Sequence, residues 1–192
     1  MSALFIFRRD FRLQDNLALN ELAKLNEKVI PLFIFDPSQL KDSNHTSKRA
    51  IVFMIESLKD LDQALRTRGS KLWITKGDPA SVIDTILSQN KSIKTVAFNK
   101  DFSPYSVKRD NDIIKICEAR EVKTITSDED LVLHPYDAVL TQSNEPYTVF
   151  GSYYKKASLI KPPKPTTSKI DWSAPQTQFK VKRTTFKANM PT

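Results

Sequence analysis

Short, largely apolar runs alternate along the chain with segments whose apolar residues return every three or four positions. The runs cover residues 4–7, 29–35, 71–75, 95–98 and 122–126. Each is the length of a strand and draws on Leu, Val, Ile, Phe and Thr, as expected for a parallel sheet buried on both faces. Between the runs, Leu17, Leu19, Leu22 and Leu25 recur at helical spacing, and so do Ile51, Met54, Ile55, Leu58, Leu61 and Leu65 over residues 47–68. Boundary residues agree with this reading. Asp15-Asn16 precedes the first helix, Gly69 ends the second, Asp78-Pro79 opens a helix over 81–88, and Ser103-Pro104 opens one through Cys117. Pro31 lacks an N–H, so near the start of the second strand it fits only an edge or a first residue. Five repeats of strand then helix predict an α/β fold with a five-stranded parallel sheet, helices on both faces and right-handed crossovers. The expected strand order is 3-2-1-4-5.

The alternation stops near residue 130, which sets an α/β domain over 1–130. Residues 131–156 read as a closing loop with the turn Ser143-Asn144-Glu145-Pro146 and a final aromatic segment. Residues 157–192 read as a basic, proline-rich interdomain linker whose second domain is absent. From residue 155 onward the chain carries five of its 11 prolines and few large aliphatics, too little to fold alone.

Charge follows the same division. Residues 1–154 hold 21 Lys/Arg and 21 Asp/Glu, so the net charge of +8 belongs to the tail, where nine basic residues face only Asp171. A body without net charge is a poor nucleic-acid binder on its own, and the plainer reading of the tail is a solvated connector. No apolar run approaches the ~20 residues of a membrane span. The N-terminus turns charged at Arg8-Arg9-Asp10, too early for a signal peptide. The single cysteine, Cys117, forms no internal disulfide and reads as a packing residue. These features predict a monomer inside the cell, cytoplasmic, or nuclear in a eukaryote, with no membrane partner.

In an open parallel sheet, ligands bind beyond the carboxyl ends of the strands, where strand order reverses. Arg8, Arg9 and Asp10 follow the first strand, Asp36-Pro37 the second, Lys76-Gly77-Asp78 the third, and Asn99, Lys100, Asp101 and Phe102 the fourth. In the order 3-2-1-4-5 the first and fourth of these loops converge, with Asp36 nearby. Cations, an amide, carboxylates and an aromatic wall suit a planar heteroaromatic ligand with polar edges. Such strand-end charges are as often salt-bridged or solvated. The chain has only three glycines, with no G-x-G-x-x-G and no G-x-x-x-x-G-K-[ST], so the usual dinucleotide and triphosphate cradles are missing. His45 and His134 are far apart without a cysteine pair, which argues against zinc, and no G-x-S-x-G elbow is present.

The run Phe7-Arg8-Arg9-Asp10-Phe11-Arg12-Leu13-Gln14-Asp15-Asn16 resembles the opening motif of the DNA photolyase and cryptochrome family. Phe33-Ile34-Phe35-Asp36-Pro37 resembles its second strand end. Asn99-Lys100-Asp101-Phe102-Ser103-Pro104-Tyr105, with Arg109-Asp110 one turn on, resembles its antenna loop, and Glu145-Pro146-Tyr147-Thr148-Val149-Phe150 with Tyr153-Tyr154-Lys155 resembles the segment that closes the domain. The resemblance covers residues 4–156 and implies a Rossmann-like α/β domain paired with a larger helical domain that holds FAD. It implies a light-driven flavoprotein lyase that splits pyrimidine dimers in DNA, or a cryptochrome-type photoreceptor. A free-standing flavin- or nucleotide-binding module is the third reading. FAD, the electron-relay tryptophans and the DNA groove would belong to the helical domain. That domain and damaged DNA are the implied partners, and this segment alone is expected to be non-catalytic. Trp73 and Trp172 read as packing residues.

Carried over residue by residue, the resemblance places a light-harvesting chromophore on the same loops. Arg8 and Arg9 would line the floor and the domain interface. Asp36 and Asp101 would accept from the chromophore's polar edges, Arg49 would contact it from the head of the second helix, and Asn99, Lys100 and Phe102 would wall it in. Asp10, Arg12 and Asp15 read more simply as a structural network, and Arg109-Asp110 reads equally as a surface pair. Folate-binding members tend to carry Glu where this chain has Ser103, which favours a deazaflavin or flavin antenna over a folate.

Overall fold

The computed structural model describes residues 1–40, 47–127, 139–161, 164–166 and 168–173. Five strands, β1 (Ser2–Phe7), β2 (Lys28–Phe35), β3 (Trp73–Lys76), β4 (Ile93–Asn99) and β5 (Lys123–Ser127), form one sheet in the order β3-β2-β1-β4-β5. Every pairing is parallel. Among the described residues, six helices connect or follow them: α1 (Leu17–Ala23), α2 (Pro37–Leu40), α3 (Lys48–Arg66), α4 (Pro79–Gln89), α5 (Pro104–Ala119) and α6 (Phe150–Ala157). The expected fold class and strand order are therefore observed.

Alternation along each strand divides the core into two layers. Ala3, Phe5 and Phe7 of β1 pack with Leu19 and Leu22 of α1 and Leu58, Leu61 and Leu65 of α3. Leu4 and Ile6 point the other way, onto Val82, Ile83 and Ile86 of α4 and Ile113 and Cys117 of α5. Cys117 is fully buried, and desolvation raises its thiol pKa, so it is a packing residue. Trp73 fills the same layer.

The helices start where polar caps meet the first turn. Asn16, Ser47, Asp78 and Ser103 each accept from the backbone N–H three residues on, satisfying a donor that the helix leaves orphaned. In the pair Asp15-Asn16 the cap is Asn16, while Asp15 takes a left-handed turn at φ 51°.

Pro31 lies inside the sheet, contrary to the edge expected for it, yet its missing N–H costs no ladder bond. Val29 directs both its N–H and its C=O away from β1, to Asp171 O and from Ser173 N. Alternation gives Pro31 the same side, and β3 begins to pair only at Leu32.

That contact with Val29 comes from residues 168–173, within the stretch read as a connector. Ile170 and Trp172 pack against the α1/α3 core layer, and Trp172 bridges to Val29 in parallel. Upstream, the Thr166 N–H donates to Asp15 Oδ1 at 2.9 Å and Asn20 Nδ2 donates to Thr166 Oγ1 at 2.7 Å. The closing segment, read as loop and aromatic residues, contains α6, whose Ala157 is buried while Phe150 and Tyr154 stack in solvent. Among the described residues no helix is long and apolar enough to cross a membrane. Residues 128–138 and 174–192, with His45 and His134, lie outside the described residues.

Candidate functional site

A crevice of about 270 Å³ opens at the carboxyl ends of β1, β2 and β4. Arg8 and Arg9 reach it from the end of β1, Asp36 from β2, Asp101 from the loop after β4 and Arg109 from α5, beside Phe33 and Met54. This is where strand order reverses, between β1 and β4.

A buried polar network holds the β1 loop in place. Asp10 Oδ1 accepts from the Arg8 N–H at 3.0 Å, and its Oδ2 accepts from Asn99 Nδ2 at 2.6 Å and Asn16 Nδ2 at 3.1 Å. Asn99 Oδ1 accepts from the Ala18 N–H at 3.2 Å. The end of β1, the start of α1 and the end of β4 are thus tied at one point. Burial raises the Asp10 pKa above its ordinary value, against the hydrogen bonds, which lower it.

Arg8 then turns toward α5. Its Nη1 lies 2.7 Å from Asp110 Oδ1, and its guanidinium carbon stands 4.1 Å from the centre of the Phe98 ring. Arg109 donates from Nε to the same Asp110 oxygen at 3.0 Å and leans on Tyr105, 5.6 Å from the ring centre. Two guanidinium groups share one buried carboxylate, and the Nη2 of each is buried with no acceptor. Desolvation, followed by repulsion from Arg109, lowers Arg8 to about 10, so it remains charged at neutral pH. On the far wall, Asp101 Oδ1 accepts from the Ser103 N–H at 3.3 Å and Oδ2 lies 3.4 Å from Arg9 Nε. Burial would raise Asp101, but these partners outweigh it and hold the carboxyl below its usual range. The crevice therefore offers cationic donors and carboxylate acceptors, with Arg9 and Asp101 paired, beside apolar side chains. That set of groups can bind a planar ligand with polar edges.

A family model described as DNA photolyase matches residues 3–169. The chain belongs to the DNA photolyase family. A deoxyribodipyrimidine photo-lyase from Synechococcus is 30% identical over 90% of this chain and 36% of its own length. Cryptochrome-1 of Anopheles gambiae is 27% identical over 83% of the chain and 30% of its own length. The chain thus spans about a third of both curated relatives. Among solved structures, the archaeal photolyase of Sulfolobus tokodaii, described with two FAD molecules and an implied novel light-harvesting cofactor, superposes with a TM-score of 0.80. It is 32% identical and covers 91% of this chain and 39% of that one.

Of the residues that the photolyase-family resemblance nominates, Arg8, Arg9, Asp36 and Asp101 meet at the crevice. The others stand elsewhere. Asn99 faces inward, spending its amide on Asp10, Asn16 and Ala18. Lys100 pairs its backbone N–H with Ser127 O at the end of β5. Phe102 is 40% exposed. Arg49 is exposed in the first turn of α3, and Met54, further along that helix, reaches the crevice instead. Arg109 is the residue whose place at the site the sequence left undecided. Asp110 is buried rather than a surface partner, because Arg8 crosses from β1 to meet it. Asp10 belongs to the structural network expected of it. Arg12 folds back with its Nε on Asp15 O at 2.9 Å.

Proposed function

We propose that this domain holds a flavin- or deazaflavin-type antenna chromophore in the crevice and serves as the light-harvesting part of a light-driven DNA photolyase acting on pyrimidine dimers. The observation that carries the reading is the convergence of Arg8, Arg9, Asp36 and Asp101 on one cleft at the strand-order reversal. The Sulfolobus tokodaii neighbour, described with two FAD molecules and a light-harvesting cofactor, supports it. The photo-lyase relative, more similar over more of the chain than the cryptochrome relative, supports repair ahead of signalling. A cryptochrome-type photoreceptor is the second reading, favoured by the cryptochromes among the relatives. In this account the lyase chemistry, FAD and the DNA contact belong to a larger protein with a helical domain.

The test is a titration with riboflavin followed by fluorescence quenching. Asp101→Ala removes a charge-assisted acceptor worth about 1.5–3 kcal/mol, so affinity should fall by roughly one to two decades. Arg120→Ala breaks the Arg120–Asp84 pair between α5 and α4, away from the crevice, and should leave affinity unchanged. Equal affinity of Asp101→Ala and the parent chain would reject this loop as the chromophore site. Under blue light with added FAD, the 192-residue chain should leave pyrimidine dimers intact, and repair above the dark control would place the catalytic centre in this segment.

A further inference from the structure

We propose that Thr166 and residues 168–173 form a strap whose docking sets the loop that presents Arg8 and Arg9 at the crevice, so that strap docking and occupancy of the crevice favour each other. This rests on the chromophore reading above for the nature of the occupant, and it specifies how that site is regulated.

The strap is held at both ends of the sheet. At the amino end, the Ser173 N–H donates to Val29 O at 2.9 Å, the Val29 N–H donates to Asp171 O at 2.8 Å, and Ser70 Oγ donates to Ser173 O at 2.8 Å. At the carboxyl end, the Thr166 N–H donates to Asp15 Oδ1 at 2.9 Å, and Asn20 Nδ2 of α1 donates to Thr166 Oγ1 at 2.7 Å. Between these ends Ile170 and Trp172 rest on the α1/α3 layer. Asp15 stands in the β1–α1 loop at φ 51°, a conformation that costs a non-glycine residue free energy and persists where its surroundings hold it. Thr166 holds the Asp15 side chain, and Arg12 holds its backbone by donating from Nε to Asp15 O at 2.9 Å.

From Asp15 the connection to the crevice is short. The next residue, Asn16, donates to Asp10 Oδ2 at 3.1 Å and to Arg12 O at 3.3 Å, and Asp10 Oδ1 accepts from the Arg8 N–H at 3.0 Å. Arg8 and Arg9 then line the crevice. A segment held by a few hydrogen bonds and two partly buried side chains opens before the sheet does. When it opens, Asp15 loses Thr166 and the loop from Arg8 to Asn16 gains alternative arrangements. When a ligand engages Arg8 and Arg9, the loop is fixed and the seat for Thr166 is already formed. Coupling of this kind is reciprocal and typically amounts to about fivefold or more.

Thr166→Pro removes the N–H and the hydroxyl together, whereas Thr166→Ser keeps both. In hydrogen exchange followed by NMR on the full chain, Thr166→Pro should speed exchange at the Arg8 amide by about fivefold or more and leave the Leu32 amide, within β2, unchanged. Thr166→Ser should match the parent chain. Riboflavin affinity should fall by a similar factor in Thr166→Pro and in Ile170→Ala/Trp172→Ala, which loosens the strap without touching Asp15 or Asn20. Saturating riboflavin should in turn slow exchange at the Thr166 amide of the parent by about that factor. Equal Arg8 exchange in Thr166→Pro and the parent overturns the inference. Riboflavin that binds the parent and both strap variants equally overturns it too, and leaves the chromophore site standing. Absence of riboflavin binding to the parent rejects the chromophore reading alone, and the Arg8 amide then decides whether the strap sets the loop.

Discussion

Asp110 sits between two guanidinium groups, with its side chain 8% exposed and Arg8 and Arg109 at 2.7 and 3.0 Å. Removing it leaves two buried cations facing each other, and breaking a buried pair in this way costs about 3–5 kcal/mol. Asp110→Ala should therefore lower the melting temperature by roughly 10 °C. Asp112→Ala, on the solvent side of the same helix, should leave the melting temperature unchanged, because its pair with Lys108 is screened by water. Equal melting temperatures for the two variants would remove Asp110 from the scaffold of the site. Asp101 carries the pH dependence. Its folded pKa lies below the ordinary 3.8, so its contribution to stability is fully present above that value and is lost as pH falls through it toward the folded pKa. The part of riboflavin affinity that Asp101 supplies should accordingly persist through neutral and mildly acidic pH and decline only below 3.8. A midpoint near neutrality would assign the acceptor to another group.

At the scale of elements, Thr166 and residues 168–173 bond to and pack against the α/β sheet and its helices. They run from the loop after β1 to the start of β2, and Trp172 and Ile170 thicken the α1/α3 layer. Ile170→Ala/Trp172→Ala should cost about 2 kcal/mol or more and speed hydrogen exchange at the Val29 amide, which donates to Asp171 O at 2.8 Å. The Leu32 amide should be unaffected, and parallel acceleration at both would mean global destabilisation rather than release of this strap. Little in its composition announces the strap, because a single bridge at Val29 and two side chains hold it. The helix α6 was legible in principle. Phe150, Tyr153, Tyr154 and Ala157 fall at helical spacing, but the turn residues before them and the lack of a side-chain cap at Val149 hid its start. Helices α1, α4 and α5 announced themselves through Asn16, Asp78 and Ser103, whose capping bonds are local, and α3 through its apolar period and Gly69, whereas the single turn α2 was not anticipated.

For the whole molecule, the order of the strands was legible because parallel strands with helical crossovers leave few topologies, and the crevice followed from where that order reverses. What local pattern could not show is which way each strand-end side chain turns. Asn99 and Asp101 are two residues apart, yet Asn99 is drawn into the Asp10 network and Asp101 is left at the crevice. Arg109 reaches the site because the first turns of α5 lie beside Arg8 at the end of β1, a tertiary fact. Gly77 fixes the neighbouring wall. A Cβ there would come within 2.9 Å of Val82 Cγ2, so Gly77→Ala should shift α4 or cost roughly 1–3 kcal/mol, read as a loss in chemical denaturation. If the ligand site lies at the carboxyl ends of β1 and β4, a crystal structure of the chain soaked with riboflavin will show it there. Ring density is expected between Arg8 and Asp101, with a ring N–H or carbonyl within hydrogen-bonding distance of each. Ring density at the opposite, amino end of the sheet, with the crevice filled only by solvent at saturating riboflavin, would contradict it.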